Sequence, residues 1–191
     1  GLGDVYKRQV MKGSDNLLSF HFFFLRKLFF VKEADALVLC PGGFGTLDEA
    51  LEVITLIQTG KSPLVPVILL DEPNGTFWQG LLDYIQQNLD SNGYILSSDM
   101  NLMHLVHDAE SAAQEIDRFY ANFHSSRWLK DQFVVRMRHA LNEAALAQLN
   151  LQFSDLCKHG DIQQQRTGDE RIDGPEPVSY THLTLPTICS V

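Results

Sequence analysis

Cysteine is scarce in this chain, and the few present do not pair. Cys40, Cys157 and Cys189 are the three in 191 residues, and no two share the close spacing of a C-x-x-C or zinc-ligand motif. An odd count without paired spacing argues against a disulfide framework and for a reducing compartment, so a cytoplasmic protein is expected. Long apolar runs are missing too. The longest, Phe20 to Val31, is interrupted by His21, Arg26 and Lys27 and is too short to cross a bilayer. No secretory pattern is visible near Gly1. Positive charge is in deficit: 15 Lys and Arg against 24 Asp and Glu give a net charge of −9. The lack of a concentrated basic stripe argues against a nucleic-acid groove. No His, Cys, Asp and Glu cluster has ligand spacing, so no metal is expected. The composition, 45% hydrophobic and 20% charged, is that of a folded domain rather than a disordered chain.

Two familiar phosphate-binding patterns are also absent. There is no G-x-G-x-x-G and no glycine loop closed by Gly-Lys-Ser/Thr. What stands instead is Pro41-Gly42-Gly43-Phe44-Gly45-Thr46-Leu47-Asp48-Glu49. The apolar run Ala36 to Cys40 enters it with strand character, and a helical pattern from Leu47 to Gln58 leaves it. Three glycines in four positions let backbone N–H groups come close to a ligand. The helix start adds a partial positive charge and unpartnered amides, which together make a phosphate cradle. The plainer reading is a tight strand-to-helix turn, with Thr46 as N-cap and Glu49 closing a T-x-x-E capping box.

Elsewhere the pattern alternates. A strand over Leu17–Phe22 leads into a helix over Phe23–Ala34 with Leu28, Phe29 and Val31 inward. Cys40 reads as a small core residue ending the buried strand Ala36–Cys40. The helix after the motif stops at Thr59-Gly60. Pro66–Leu70 is a buried strand, and Asp71 to Gly75 its exit loop. A helix over Thr76–Leu89 follows, with Trp78 as a core anchor and Phe77, Leu81, Leu82 and Ile85 at helical spacing. Asn101–Val106 is a short strand and Ala109–Phe123 a helix. Strands alternating with such helices predict an α/β fold, a doubly wound, Rossmann-like parallel sheet with the glycine loop at its carboxyl edge. The core is drawn at 10–126. A small C-terminal α+β appendage follows at 127–165, with a strand over Phe133–Met137 that alternates toward solvent, a helix capped by Asn142, a break at Gly160 and a strand at Asp161–Gln165. The segment 166–191 reads as a mobile tail. Gly1–Gln9 and Val178–Val191 fit none of these periodicities and are taken as foreign.

At this point the chain resembles a known family. P-G-G-x-G-T-x-x-E, the upstream Phe24-Leu25-Arg26-Lys27-Leu28, the downstream Leu51 to Lys61, and Pro66 to Leu70 together resemble the LOG ("lonely guy") family. These are cytokinin riboside 5′-monophosphate phosphoribohydrolases, historically labelled lysine decarboxylases. The resemblance runs over roughly residues 14–160. It implies hydrolysis of the N-glycosidic bond of AMP or a cytokinin-type nucleotide, giving free base and ribose 5-phosphate, in a homodimer with its site near the subunit interface. It assigns Arg26 and Glu49 as the catalytic pair, and Lys27, Gly42, Gly43, Gly45, Thr46, Asp48 and Thr55 as substrate-binding residues. The family also opens with a strand and a second glycine turn that have no counterpart before Leu17. The chain therefore reads as the C-terminal two-thirds of a longer protein, with an incomplete and inactive pocket expected.

That chemistry needs a phosphate anchor, a carboxylate near the anomeric carbon, and a cation to balance charge. Each residue also has a plainer reading. Arg26 and Lys27 suit the solvated side of an apolar helix, Asp48 a first-turn partner of the helix dipole, and Thr55 a hydroxyl bonded back to its own helix. No cofactor is implied: pyridoxal phosphate needs a Schiff-base lysine with an acidic partner for the ring nitrogen, and neither Lys27 nor Lys61 has that context. The competing reading is a module that binds a nucleotide or cofactor and carries it without cleavage.

Overall fold

A computed structural model describes residues 23–129, 132–157, 160–166 and 181–186, with the side chains of Phe23, Phe24, Arg26, Leu129, Asp155, Arg166 and 181–186 outside that description. The strand expected over Leu17–Phe22 lies outside the described residues, as do the first nine residues and the segment 167–177. The chain divides into two units, 1–33 and 34–191. In the first, helix α1 spans Phe23–Lys32. Leu28, Phe29 and Phe30 are exposed on it and Val31 is half-buried, although the sequence places Leu28 and Phe29 inward. Consecutive helical positions are about 100° apart, so an apolar run cannot gather on one side.

The second unit opens with a parallel sheet. Strands β1 (Leu37–Leu39), β2 (Val67–Leu70) and β3 (Met103–Val106) lie side by side in chain order, with Leu37 level with Val67 and Val67 level with Met103. Between them run α2 (Phe44–Gln58) and α3 (Phe77–Ile85), and α4 (Ala109–Tyr120) follows β3. Alternation sorts the side chains onto two faces. Ile68, Leu70 and Val106 face Ala112 and Ile116 of α4. Val67 and Leu69 point the other way and are equally buried. The right-handed crossover rule puts α2 and α3 on that second face, where Ala50, Val53, Ile57, Trp78 and Ile85 supply the buried side chains. Helices on both faces of a parallel sheet give the expected Rossmann-like α/β fold.

Two core expectations are corrected. Cys40 is exposed rather than buried, because β1 ends at Leu39 and the thiol already belongs to the loop. Val38 is 42% exposed, since α4 lies over β2 and β3 and leaves that face of β1 open. Trp78 is the anchor expected, fully buried with Nε1 donating to the Leu70 carbonyl at 3.2 Å. Phe77 beside it is 40% exposed. After α3 the chain widens into a π turn, Gln86–Asp90, in which the Ser91 N–H donates to the Gln86 carbonyl at 3.1 Å. A 3₁₀ turn, Ser97–Leu102, then leads into β3.

The helix expected to run to Phe123 ends at Tyr120, and Phe123 opens β4 (Phe123–Leu129), which hairpins with β5 (Gln132–Met137). The rings of Phe119 and Phe123 meet at 5.0 Å across that junction. A four-stranded antiparallel sheet forms in the order β4-β5-β7-β6, with β6 at Gln163–Arg166 and β7 at Thr181–Pro186. Thus β7 falls inside the segment that the sequence treats as a foreign tail. Its T-H-L-T-L alternation is compatible with a strand, and the ladders of β5 and β6 take it in. Helix α5 (Glu143–Gln152) starts as expected, with Asn142 Oδ1 accepting the Ala145 N–H at 2.8 Å. It packs Leu146 and Leu149 onto Met137 and Ile162. Val134 is fully buried as well, so β5 is not the half-exposed strand its alternation suggests.

Candidate active site: the glycine loop and the start of α2

The loop leaves the carboxyl end of β1, at the edge where open α/β sheets receive ligands. Helix α2 begins earlier than the sequence suggests, at Phe44 with Gly43 as N-cap. The capping box is therefore not made. Thr46 is already helical, its N–H donating to the Gly43 carbonyl at 3.0 Å, and no side chain caps the helix. Glycine at the cap releases Thr46 from that role. The amides of the first turn are left without a side-chain partner, at the positive end of the helix dipole.

The three glycines have different reasons to be there. None has a positive φ, so backbone strain explains none of them. Gly42 is required by packing: a Cβ there would run into Oγ1 of Thr46. Gly43 and Gly45 are not, because a Cβ at either would meet nothing within 4 Å. Among the described residues nothing crowds the backbone at those two, which is what close approach of a ligand to N–H groups needs.

The expected site residues fall on distinct sides of α2. Ala50, Val53 and Ile57 form the buried face. Gly45 and Glu49 stand one turn apart on a flank, with Glu49 half-buried. Asp48 and Thr55 lie on the outward face with Phe44 and Leu51, and all four are exposed, Phe44 to 93%. Glu49 and Thr55 are six positions apart, which sets them about 120° apart around the axis. Thr55 Oγ1 donates to the Leu51 carbonyl at 2.7 Å, the back-bonded arrangement. Lys27 is half-buried on α1. The backbone of Arg26 is in α1, and its side chain lies outside the described residues.

One residue near this edge was read only as loop. Asp71 follows β2, and continuing the register with β1 sets it level with Pro41. It is 4% exposed, accepting the Glu72 N–H at 2.9 Å and the Trp78 N–H at 3.2 Å. A Cβ on Gly75 would strike its carboxylate, so the turn is built around Asp71. The signal was present as an aspartate at a strand's carboxyl end, six residues before a helix start. Its neighbour β3 ends similarly. Asp108 caps α4 through the Ser111 N–H at 2.7 Å, and that bond with the Ser111 hydroxyl holds its carboxyl below the usual range. No three His, Cys, Asp or Glu side chains among the described residues are grouped to hold a metal. No described helix is long and apolar enough to cross a membrane.

Fold and loop together define a Rossmann-like α/β protein whose uncapped helix start is suited to an anion. The profile of the family described as possible lysine decarboxylase matches residues 4–116, and the chain belongs to that family. It is 32% identical over 98 residues to the cytokinin riboside 5′-monophosphate phosphoribohydrolase LOG7 of Arabidopsis thaliana, covering 51% of this chain and 43% of that protein. It is 36% identical over 89 residues to the probable phosphoribohydrolase of the same kind LOG6 of Arabidopsis thaliana, covering 47% and 41%. It is 32% identical over 94 residues to the probable enzyme LOGL3 of Oryza sativa subsp. japonica, covering 49% and 43%. The chain thus spans less than half the length of these curated relatives.

Proposed function

We propose that the protein is a nucleoside 5′-monophosphate phosphoribohydrolase, acting on AMP or a cytokinin-type nucleotide. The observation that carries this reading is the pair Gly43 and Gly45, bare where the fold has no need of glycine, at an uncapped helix start with Glu49 one turn beyond. Amides of the first turn, with the Thr46 hydroxyl, hold the 5′-phosphate. Glu49 lies about 7.5 Å along the helix from Phe44, and its side chain leans back toward the ribose. As the base departs, positive charge builds at the anomeric carbon, and the Glu49 carboxylate stabilises it and orients the attacking water. The base takes a proton as the C–N bond breaks; the water's oxygen bonds to the anomeric carbon and its proton is lost. The family resemblance assigns Arg26 and Lys27 the balancing of charge on phosphate and leaving group. The family name refers to a decarboxylase, but the chemistry assigned here needs no cofactor.

The working unit in this reading is a homodimer in the cytosol. Glu49 and Thr55 diverge around α2, so one ligand beside Glu49 does not reach both. Phe44 and Leu51 make the outward face apolar, and a helix apolar on opposite sides is normally covered on both. Sedimentation velocity of Leu51→Asp against the parent protein checks this, with a shift toward monomer expected.

Incubating the protein in its full native length with AMP and an N6-substituted analogue, and looking for free base by chromatography, tests the activity. No base from any purine or pyrimidine monophosphate sinks the hydrolase. Glu49→Gln separates it from a carrier: turnover is lost while nucleotide affinity stays within about tenfold, roughly 1.4 kcal/mol. If binding and turnover fall together, Glu49 is an anchor and its assigned role is wrong.

A further inference from the structure

We infer that Glu52 reads the base, accepting a hydrogen bond from an exocyclic amino group and so favouring aminopurine nucleotides. The inference rests on the phosphoribohydrolase reading and deepens it. Gly45, Glu49, Glu52 and Leu56 are spaced i, i+4, i+7 and i+11 and form one flank of α2, between its buried and outward faces. A nucleotide anchored by phosphate at Gly45, with its ribose at Glu49, extends its base along that same flank. Glu52 is the next polar side chain it meets, about 4.5 Å further along the axis. Glu52 is half-buried, where a hydrogen bond discriminates more strongly than in open water.

The chemistry of the group decides what it selects. A carboxylate only accepts, so it pairs with an amino group and is repelled by a carbonyl oxygen or a bare ring nitrogen. An N6-substituted adenine keeps one N–H and still satisfies it. Glu52 already engages a neighbour, but a carboxylate accepts up to about four hydrogen bonds, so a second partner is accommodated. Leu56, also half-buried, ends the flank with apolar surface for the far edge of the ring.

The test compares base release from AMP with that from purine riboside 5′-monophosphate, which lacks only the amino group. The protein is expected to favour AMP by at least about tenfold in kcat/KM, the effect of leaving one half-buried acceptor unmatched. Glu52→Gln brings the ratio toward unity, because its amide both accepts and donates. A folding defect lowers both rates and leaves the ratio standing, so the ratio is the readout. Glu52→Asp, which withdraws the carboxylate, is read the same way should the glutamine variant not fold. Equal rates on the two nucleotides in the parent protein, or a ratio unmoved by either variant, overturn the inference and leave the hydrolase reading intact. No base release from either nucleotide removes the hydrolase reading, and this inference with it.

Discussion

Replacing Gly45 by alanine is expected to make the protein more stable and less active. Gly45 sits in the first turn of α2 without a positive φ, and a Cβ there touches nothing within 4 Å. Alanine therefore adds no clash, and it narrows the unfolded ensemble by about 0.4–1 kcal/mol. For a chain of this size each kcal/mol moves Tm by about 2–4 °C, so a rise of roughly 1–4 °C is expected. In the proposed function, the same methyl occupies the space through which a phosphate would reach the helix amides. Losing one hydrogen bond to a charged group costs about 1.5–3 kcal/mol, or roughly 10- to 150-fold in kcat/KM. Thermal unfolding followed by circular dichroism gives the first number, and chromatographic release of adenine from AMP gives the second. The opposed signs make the test sharp, since a generally damaged protein loses both. A lowered Tm would show that the glycine serves the fold. Unchanged turnover would falsify the placement of the phosphate.

Gly42→Ala is expected to do the reverse, lowering stability by about 1–3 kcal/mol because its Cβ meets the Thr46 side chain, as denaturant titration would reveal. Asp71→Asn keeps one acceptor and turns an NH₂ toward a buried N–H donor, so about 1–3 kcal/mol should be lost in the same titration. Asp108 has a depressed pKa in the folded chain, so its contribution is complete above the unfolded aspartate value near 3.9 and is lost as pH falls through the folded value. Asp108→Ala should accordingly lower Tm at pH 7 and have little effect at the acid end of that window, as a pH series of melts would show.

The sequence was most readable where local physics and tertiary demand coincide. Trp78 and Asn142 behave as their residue types dictate, a large apolar ring at a helix start and a side-chain cap. Gly160 has a φ of 75° but does not end the helix that Asn142 caps, which stops at Gln152 and gives way to a 3₁₀ turn, Ser154–Leu156. The glycine loop was readable as the turn that joins a buried strand to a helix, while its detail was not. Thr46 and Glu49 have the spacing of a capping box, but the helix starts three residues earlier than a Thr46 cap allows. Local spacing does not reveal that the chain already turns helical at Phe44. Cys40 looked like core because it continues an apolar run, and only the end of the β1 ladder at Leu39 puts it outside. β4 was hidden for a related reason. Its His124, Ser125, Ser126 and Arg127 carry no strand alternation, and the pairing with β5 comes from across the sheet. Asp71 escaped notice because its acceptance of the Trp78 N–H spans seven residues, beyond a single cap motif.

Helix α2 accounts for its own unusual composition once its sides are taken separately. Phe44-Gly-Thr-Leu-Asp-Glu-Ala-Leu-Glu-Val-Ile-Thr-Leu-Ile-Gln58 has no clean apolar stripe, which for an isolated surface helix is a defect. Ala50, Val53 and Ile57 satisfy the sheet, and their small to medium size lets the helix lie close to it. Gly45, Glu49 and Glu52 form a second line, on which two half-buried carboxylates stand beside the core. Phe44, Leu51 and Thr55 form a third, opposite the core, where apolar side chains remain in contact with water. Core packing against the sheet explains the first line and not the exposed apolar residues of the third. Exposing Phe44 forgoes about 1.5–3 kcal/mol of hydrophobic stabilisation, and the 45% exposure of Leu51 roughly half as much. A substrate beside the second line and a second copy over the third give both sets of residues a physical reason to be there. The two readings are separable, since Leu51→Asp disturbs only the third line and Glu52→Gln only the second.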